Sequence, residues 1–399
     1  MIYLKYIKVV LVRATFFIFV NCLFRTNKTY IMKNNIYLIL LTVFLGACNS
    51  SSDGGGNTSD DNFYRSALLS NVANNIIVPA YTSFQTRLAT LKQKTEVFTA
   101  SPNTSTLIEL RTAWFDAYKA WQHVGIYNIG KAEELEYDSF INTFPLTAAD
   151  VNDNIVSGTY DLDHPNNLDA QGFPAFDYLL HGVGVNDTEI LEKYTTDPKA
   201  ENYKKYLTDV ITKMVGLTDI VVADWNGAYK DEFINSTGNT ATSSFNKLVN
   251  DYIFYYEKRL RADKIGIPVG IFSGGTLFPE KVEAYYKRTV SRELMLESLS
   301  SVRNFFNGTH FSNGNSGVGL KGYLDAINNE DLATKINNQL DAATNKVTTL
   351  NDNLSEQITN DKNTVSAVYT ELQKAVAMFK VEMLTAINVN VDYGDADGD

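Results

Sequence analysis

Apolar residues recur at every third or fourth position along most of the chain from Phe63 onward, the spacing that places side chains on one face of a helix. Pro79 lies inside the first such series and predicts a kink there, because proline has no backbone N–H to donate. The alternating pattern of strands is scarce, so we predict an all-α fold. The first series comprises Leu69, Val72, Ile76, Phe84, Leu88 and Leu91. The second comprises Leu107, Leu110, Trp114, Ala117, Trp121 and Val124.

Later parts of the chain carry the same spacing over segments long enough for bundle helices. A chain of 399 residues also exceeds the length at which a single hydrophobic core keeps growing. We therefore predict two tandem antiparallel helical bundles, residues 63–238 and residues 239–399, the second ending in an acidic tail. A third helix carries Tyr203, Tyr206, Val210, Met214, Leu217, Val221 and Trp225. The remaining helices are predicted over residues 243–263, 279–306, 331–350 and 364–387.

Residues 133–197 lack this regular spacing and are too long for a simple connection, which is typical of a functional loop. They include Gly172–Gly182, with the sequence GFPAFDYLLHG. Gly172 permits a turn, Pro174 suits the first position of a helix, and Asp177 would complement the positive end of a helix dipole. The stretch can therefore be a plain helix entrance or part of a binding cleft.

A second glycine-rich stretch lies in the later half of the chain. Gly317, Gly319 and Gly322 formally match the G-x-G-x-x-G pattern of dinucleotide-binding proteins. No strand is predicted before them and no βαβ unit surrounds them, so we do not predict a nucleotide site.

The amino terminus resembles a bacterial lipoprotein signal. After Met32, one lysine precedes ~10 apolar residues and then Leu-Gly-Ala-Cys, which ends at Cys48, whereas a membrane-spanning helix needs ~20 apolar residues. We predict that Met32 is the true start, that Cys48 is lipidated after removal of residues 1–47, and that residues 48–62 form a flexible tether. The protein would then be a membrane-anchored lipoprotein of the cell envelope. We favour the outer membrane and leave its face open.

Charge and cysteine content exclude several other classes of function. The whole chain carries a net charge of −11, and residues 1–47 hold basic but no acidic side chains, so their removal makes the remainder more acidic. Such a surface repels nucleic acid and anionic lipid. The only cysteines are Cys22 and Cys48, so the mature chain can form neither a disulfide nor a cysteine metal site.

Several separated blocks, taken in order, resemble the imelysin-like family of bacterial envelope proteins. Trp114–Trp121 resembles its paired-tryptophan helix, and Ile141–Leu146 resembles its short Asn-x-x-Pro-Leu stretch. Gly172–Leu180 resembles the signature turn of the family, and Pro279–Glu283 resembles a block of its second half. The last residues, 389–399, resemble its acidic terminus. The resemblance implies two related four-helix bundles with a cleft between them.

The resemblance also implies two rival functions, since some relatives are described as metallopeptidases with a Gly-x-His-x-x-Glu signature and others are linked to iron acquisition. On that signature this chain keeps Gly172, has Pro174 in place of histidine and has Asp177 in place of glutamate. None of the 4 histidines is followed three residues later by glutamate, and His181 lies several residues past the turn. A catalytic zinc normally needs about three protein ligands, with histidine prominent among them, so we predict no catalytic residue.

The candidate cleft residues are Gly172, Pro174, Asp177, His181 and Glu283. If Asp177 faces Glu283, the two carboxylates form an oxygen-rich site suited to weak binding of iron or another divalent metal, and no other cofactor is predicted. We favour a non-catalytic binding lipoprotein, with iron acquisition as the process that the resemblance suggests and a metal or an envelope protein as its partner. The alternatives are a metallopeptidase with a rearranged site and a docking lipoprotein with a vestigial cleft.

Overall fold

The computed structural model describes residues 58–391, with side chains from residue 64 onward. The predictions for the leader, Cys48, the tether up to residue 57 and the acidic tail from residue 392 lie outside this range. Residues 58–62 were predicted to belong to the flexible tether, but they form the start of a helix, Thr58–Asn71. Within it the secondary structure is helical, and the one extended pairing is an isolated antiparallel bridge between Thr309 and Ser316. The all-α prediction is confirmed. No helix in the described range is both long enough and apolar enough to cross a membrane.

The first half of the chain contains three long helices, Val78–Ala100, Thr104–Trp121 and Ala200–Asn226, joined by shorter ones. A π-helical segment, Val72–Ile77, joins the helix that ends at Asn71 to the one that begins at Val78, because a wider turn accommodates the ring of Pro79 and its missing N–H. A 3-10 turn, Pro165–Ala170, precedes the helix that begins at Gly172. The helices are α1 (Thr58–Asn71), α2 (Val78–Ala100), α3 (Thr104–Trp121), α4 (Lys131–Glu134), α5 (Tyr137–Asn142), α6 (Ala148–Ser157), α7 (Gly172–His181), α8 (Asp187–Thr195), α9 (Ala200–Asn226) and α10 (Tyr229–Asn235).

The second half contains the helices α11 (Ser244–Phe254), α12 (Ser291–Asn307), α13 (Leu320–Ala326), α14 (Glu330–Val347), α15 (Leu354–Asn360), α16 (Lys362–Ala377) and α17 (Leu384–Ala386). Two π-helical segments continue α11 and α16, over Tyr255–Gly266 and Met378–Met383. Short 3-10 turns lie at Ile271–Ser273 and Pro279–Lys281.

The helix predicted over residues 279–306 is wrong over residues 279–290, since α12 begins only at Ser291. Residues 282–290, here called the strap, are not helical. Two strap residues adopt left-handed backbone angles, Ala284 with φ of 56° and Arg288 with φ of 66°. These angles interrupt a helix because a Cβ atom disfavours them.

Two groups of helices pack around the core. In the first, α2 lies between α3 and α9, and the short α7 packs against both α3 and α9. In the second, α16 packs against α14 and the Tyr255–Gly266 segment, and α12 contacts both of these. Each group is four-helix-bundle-like, and the buried apolar residues of both halves form one cluster. The exact division into domains at residues 238 and 239 stays a prediction.

Helix α3 carries side chains toward the region where the two groups meet. It starts with a capping box, in which the Asn103 side chain accepts the N–H groups of Ser105 and Thr106 while the Thr106 hydroxyl accepts the N–H of Asn103. Trp114 and Trp121, seven residues apart on one face, are buried in the core.

Candidate functional site

Helix α7 begins at Gly172, which has a left-handed φ of 70°. A Cβ atom at this position would lie 2.2 Å from the carbonyl oxygen of Ile141, so only glycine lets α7 start against the end of α5. Pro174 is the third residue of the helix and still lies in the first turn, where backbone N–H groups have no partner within the helix. From α3, Trp114 Nε1 donates to the carbonyl oxygen of Phe173 at 3.2 Å and fixes the start of α7.

Asp177 lies in the second turn of α7, which corrects the expectation that it complements the positive end of the helix. Its Oδ2 accepts the backbone N–H of Tyr286, and its Oδ1 accepts that of Lys287, both at 2.8 Å. Burial raises the pKa of Asp177 to about 7, against the lowering effect of the two N–H bonds. Asp177 therefore fastens the strap to α7 and lies near its titration point at neutral pH.

A cleft of about 220 Å³ opens beside Asp177. Most of its wall is apolar or aromatic, while Glu280 and Lys281 add one charge of each sign. Of the five predicted cleft residues, Pro174 and Asp177 line it and the other three do not. The remaining wall consists of Phe144, Pro145, Leu146, Val282, Ala284, Tyr285 and Tyr286.

His181, the last residue of α7, does not line this cleft. Its ring packs edge-on against Trp114, with 5.3 Å between ring centroids, and its Nε2 is buried without a hydrogen-bond partner. Burial, with a smaller contribution from the positive charges of Arg111 and Lys287, lowers the pKa of His181 to about 3. His181 is therefore neutral at physiological pH and does not replace the histidine missing from position 174.

Glu283 lies in the strap but belongs to a separate buried polar cluster. Its Oε1 accepts hydrogen bonds from Asn142 Nδ2 at 2.9 Å and from Gln122 Nε2 at 3.3 Å. Its Oε2 pairs with the ammonium of Lys264, which also donates to Gln122 Oε1 at 3.0 Å. Glu283, Lys264 and Gln122 are all buried, so each charge depends on these partners.

Two further side chains complete this cluster. The Ser298 hydroxyl of α12 donates to Gln122 Oε1 at 2.7 Å, and the Tyr118 hydroxyl of α3 donates to Asn142 Oδ1 at 2.6 Å. Burial raises the pKa of Tyr118, and the negative charges of Glu283 and Asp177 raise it further, so both carboxylates lie near this tyrosine. A small cavity of about 30 Å³ adjoins the cluster, with room for a water molecule.

Both candidate carboxylates are engaged by protein donors. The oxygens of Asp177 accept two backbone N–H groups, and those of Glu283 accept the side chains described above. Among the side chains that the structure describes, no three histidine, cysteine, aspartate or glutamate residues are grouped so as to hold a metal ion. A metal at Asp177 or Glu283 stays a prediction, and it would have to displace these donors.

The sequence reasoning missed most residues of the buried cluster. Gln122 follows Trp121 directly in an otherwise apolar series, and a polar residue there was the available signal. Asn142 lies in the Ile141–Leu146 block, which was identified as a block but not as a source of cluster residues. Lys264 gave no signal, because it lies in a charge-rich stretch that reads as solvent-exposed.

The imelysin family model, Peptidase M75, matches residues 77–379. The chain is similar to an iron-regulated protein A precursor from Parabacteroides distasonis ATCC 8503, with a TM-score of 0.66 and 18% identity over 81% of this chain and 95% of that one. It is also similar to an imelysin-like protein from Psychrobacter arcticum 273-4, with a TM-score of 0.64 and 18% identity over 83% of this chain and 98% of that one. The curated proteins contain no match.

At 18% identity, the two solved structures show a common fold and nothing more. The family model spans most of the described residues, including the start of α7, the cleft and the buried cluster. The chain therefore belongs to the imelysin family.

Proposed function

We propose that this imelysin-family chain is a non-catalytic binding protein of the cell envelope whose ligand occupies the cleft beside Asp177. One observation carries the proposal: both carboxylate oxygens of Asp177 accept backbone N–H groups of the strap and do not point to a reaction centre. A zinc-activated water needs about three protein ligands and an open position. No residue lining this cleft is a histidine, and Pro174 stands where the family signature has one.

The composition of the cleft favours a ligand with an aromatic group. Tyr285, Tyr286 and Phe144 provide aromatic surface, and Lys281 provides a positive charge. At about 220 Å³ the cleft is smaller than a typical site for a drug-sized ligand, so it would hold one ring of a larger molecule. A ferric chelate that carries an aromatic group fits this aromatic surface, and the similarity to an iron-regulated protein agrees with a role linked to iron.

Lipidation of Cys48 would attach the binding body to the outer membrane through the part of the predicted tether that precedes α1, residues 48–57. A body held at a membrane by a flexible tether can receive a chelate and pass it to a neighbouring transporter. This arrangement suits a binding protein and a docking protein equally, so ligand binding has to be measured directly.

Tyrosine and tryptophan fluorescence, titrated with the ferric complex of 2,3-dihydroxybenzoate and with ferric citrate, tests the proposal. We expect the aromatic complex to bind and Lys281→Ala to weaken it about tenfold, the effect of losing one charge-assisted contact. Lys287→Ala is the matched control, because Lys287 is exposed and close by but does not line the cleft. If neither complex binds, or if Lys281→Ala and Lys287→Ala weaken binding equally, the proposal is contradicted and a docking role is favoured.

A protease assay on unfolded casein, with and without a chelator, separates binding from catalysis. We expect no cleavage above that of a buffer control. Chelator-sensitive cleavage that is abolished in Asp177→Ala or His181→Ala would establish a metallopeptidase with a rearranged site.

A further inference from the structure

A polar groove of about 680 Å³ opens in the second half of the chain. It lies among α12, α13, α14 and the loop that carries the Thr309–Ser316 bridge. It shares no lining residue with the cleft beside Asp177 or with the Glu283 cluster. The groove is therefore a separate feature that the proposed function does not use.

The charged side chains that line the groove are both positive, although the whole chain is acidic. They are Arg303 from α12 and Lys321 from α13. Arg303 pairs with Asp341 at 3.0 Å and Lys321 with Asp325 at 2.5 Å, and neither carboxylate lines the groove. Such exposed ion pairs contribute little to stability, so both cations can also contact an anion in the groove.

The rest of the lining can both donate and accept hydrogen bonds. Asn307 and Asn337 donate to each other through their amides, at 2.9 and 2.8 Å, which holds both side chains in fixed orientations. Asn304, Thr309 and Ser316 add another amide and two hydroxyls. Paired amide and hydroxyl groups match the neighbouring hydroxyls of a sugar, which also donate and accept. None of the lining residues is a large apolar side chain, which argues against a lipid tail.

Gly322 leaves an open position on the floor of the groove. It lies inside α13, where glycine costs about 1 kcal/mol relative to alanine. A Cβ atom at Gly322 would find its nearest neighbour at 3.8 Å, so packing does not require the glycine. At Gly317, by contrast, a Cβ would lie 2.2 Å from the Asn71 side chain and packing does require it. The bare backbone at Gly322 instead allows a ligand to approach closely, because glycine has no Cβ atom.

We propose that this groove binds a phosphorylated sugar, with the phosphate at Lys321 and Arg303 and the sugar hydroxyls at the asparagine amides. The volume suits one or two sugar rings. A free sugar phosphate and the phosphorylated headgroup of a lipid share this chemistry, so the experiment includes both sources.

Isothermal titration with glucose 6-phosphate, glucose and inorganic phosphate tests this site on the purified chain. Glucose 6-phosphate binds more tightly than either of the other two, because only it engages the cations and the amides together. Lys321→Gln weakens it about tenfold. Lys335→Gln is the matched control, since Lys335 forms a similar exposed ion pair with Glu382 but does not line the groove. Phosphatidylcholine vesicles with and without monophosphoryl lipid A show whether the headgroup also binds.

Gly322→Gln separates loss of the site from loss of the fold. The glutamine side chain fills the open position, while the change from glycine favours the helix. This variant therefore keeps the circular dichroism and thermal stability of the wild type and loses glucose 6-phosphate binding. The proposal is overturned if neither glucose 6-phosphate nor the lipid A vesicles bind. It is also overturned if phosphate binds as tightly as glucose 6-phosphate, or if Lys321→Gln and Gly322→Gln bind as Lys335→Gln does.

Discussion

The side-chain amide of Asn142 donates a hydrogen bond to the carboxylate of Glu283 at 2.9 Å, which joins the end of α5 to the strap. Gln122 and Lys264 hold the same carboxylate from the end of α3 and from the π-helical segment Tyr255–Gly266. A buried carboxylate is costly unless all such donors remain in place. We therefore expect that small chemical changes in this cluster strongly lower the free energy of unfolding.

The first prediction concerns the Lys264–Glu283 ion pair. Lys264→Met strands a buried negative charge and Glu283→Gln strands a buried positive one, so each lowers the free energy of unfolding by about 3–5 kcal/mol. The double variant loses less than the sum of the two, because no unpaired charge remains. Urea unfolding followed by circular dichroism measures all three.

The exposed pair of Lys335 and Glu382 is the control for this measurement. Lys335→Met should change the free energy of unfolding by less than about 1 kcal/mol. Strict additivity of the two buried substitutions would show that the charges do not depend on each other.

The second prediction concerns the start of α7. Gly172→Ala forces a left-handed backbone angle on a residue with a Cβ and drives that atom toward the Ile141 carbonyl. We therefore expect the free energy of unfolding to fall by about 2 kcal/mol or more. Gly216→Ala is the control, because it lies inside α9 with no atom within 4 Å of the added Cβ. That variant should be neutral or more stable by up to about 1 kcal/mol. Equal thermal stability of the two variants would contradict the close contact.

The third prediction is a pH dependence that Asp177 contributes. Its pKa is about 7 in the folded protein against an ordinary value of 3.8, so between these values the folded state holds the proton and the unfolded state does not. The contribution of Asp177 to stability therefore falls as pH rises from about 4 to 7 and is constant above 7. The difference in unfolding free energy between wild type and Asp177→Asn should follow this course. A difference that is constant from pH 4 to 8 would show that the pKa of Asp177 is not raised in the folded protein.

The fourth prediction has the opposite sign and concerns His181. Its pKa of about 3 lies below the ordinary 6.5, so the unfolded chain takes up a proton in this window and the folded chain does not. Stability from this group is lost as pH falls from about 6.5 to 3. His181→Phe keeps a ring against Trp114 and removes the unpartnered nitrogen, so it should gain stability relative to wild type on acidification. If its advantage is the same at pH 5 and pH 8, the histidine is not held neutral.

The fifth prediction concerns Cys48, which lies outside the described residues. Mass spectrometry of the protein purified from membranes should find acyl chains on Cys48 as the first residue. Cys48→Ser should move the protein from the detergent phase to the aqueous phase. Identical partitioning of the two forms would show that the cysteine carries no anchor.

The sequence pattern was sufficient for the all-α fold and for the core positions of Trp114 and Trp121, because helical spacing reports directly on burial. The sequence also identified three of the segments from which the site is built. Ile141–Leu146, Gly172–Leu180 and Pro279–Glu283 all contribute residues to the cleft or to the cluster beside it. A block can be recognised from its sequence alone, whereas the contacts between its atoms and those of a distant block depend on the folded structure.

The strap could not be predicted from local sequence. Pro279 followed by charged and apolar residues resembles the start of a helix, whereas the structure holds two strap N–H groups on Asp177 from a distant helix. Tertiary hydrogen bonds of this kind override local helix propensity. The pairing of Lys264 with Glu283 was likewise hidden, because burial of a lysine depends on the packing of several elements at once.

Several partners of the strap come from the first half of the chain, since Asp177 holds its N–H groups while Asn142 and Gln122 hold Glu283 together with Lys264 of the second half. The part of the chain before residue 238 thus supplies hydrogen-bonding side chains, and the strap that they hold belongs to the part after it. The protein is in this respect an intramolecular complex, because the conformation of the strap depends on groups from both halves of the chain.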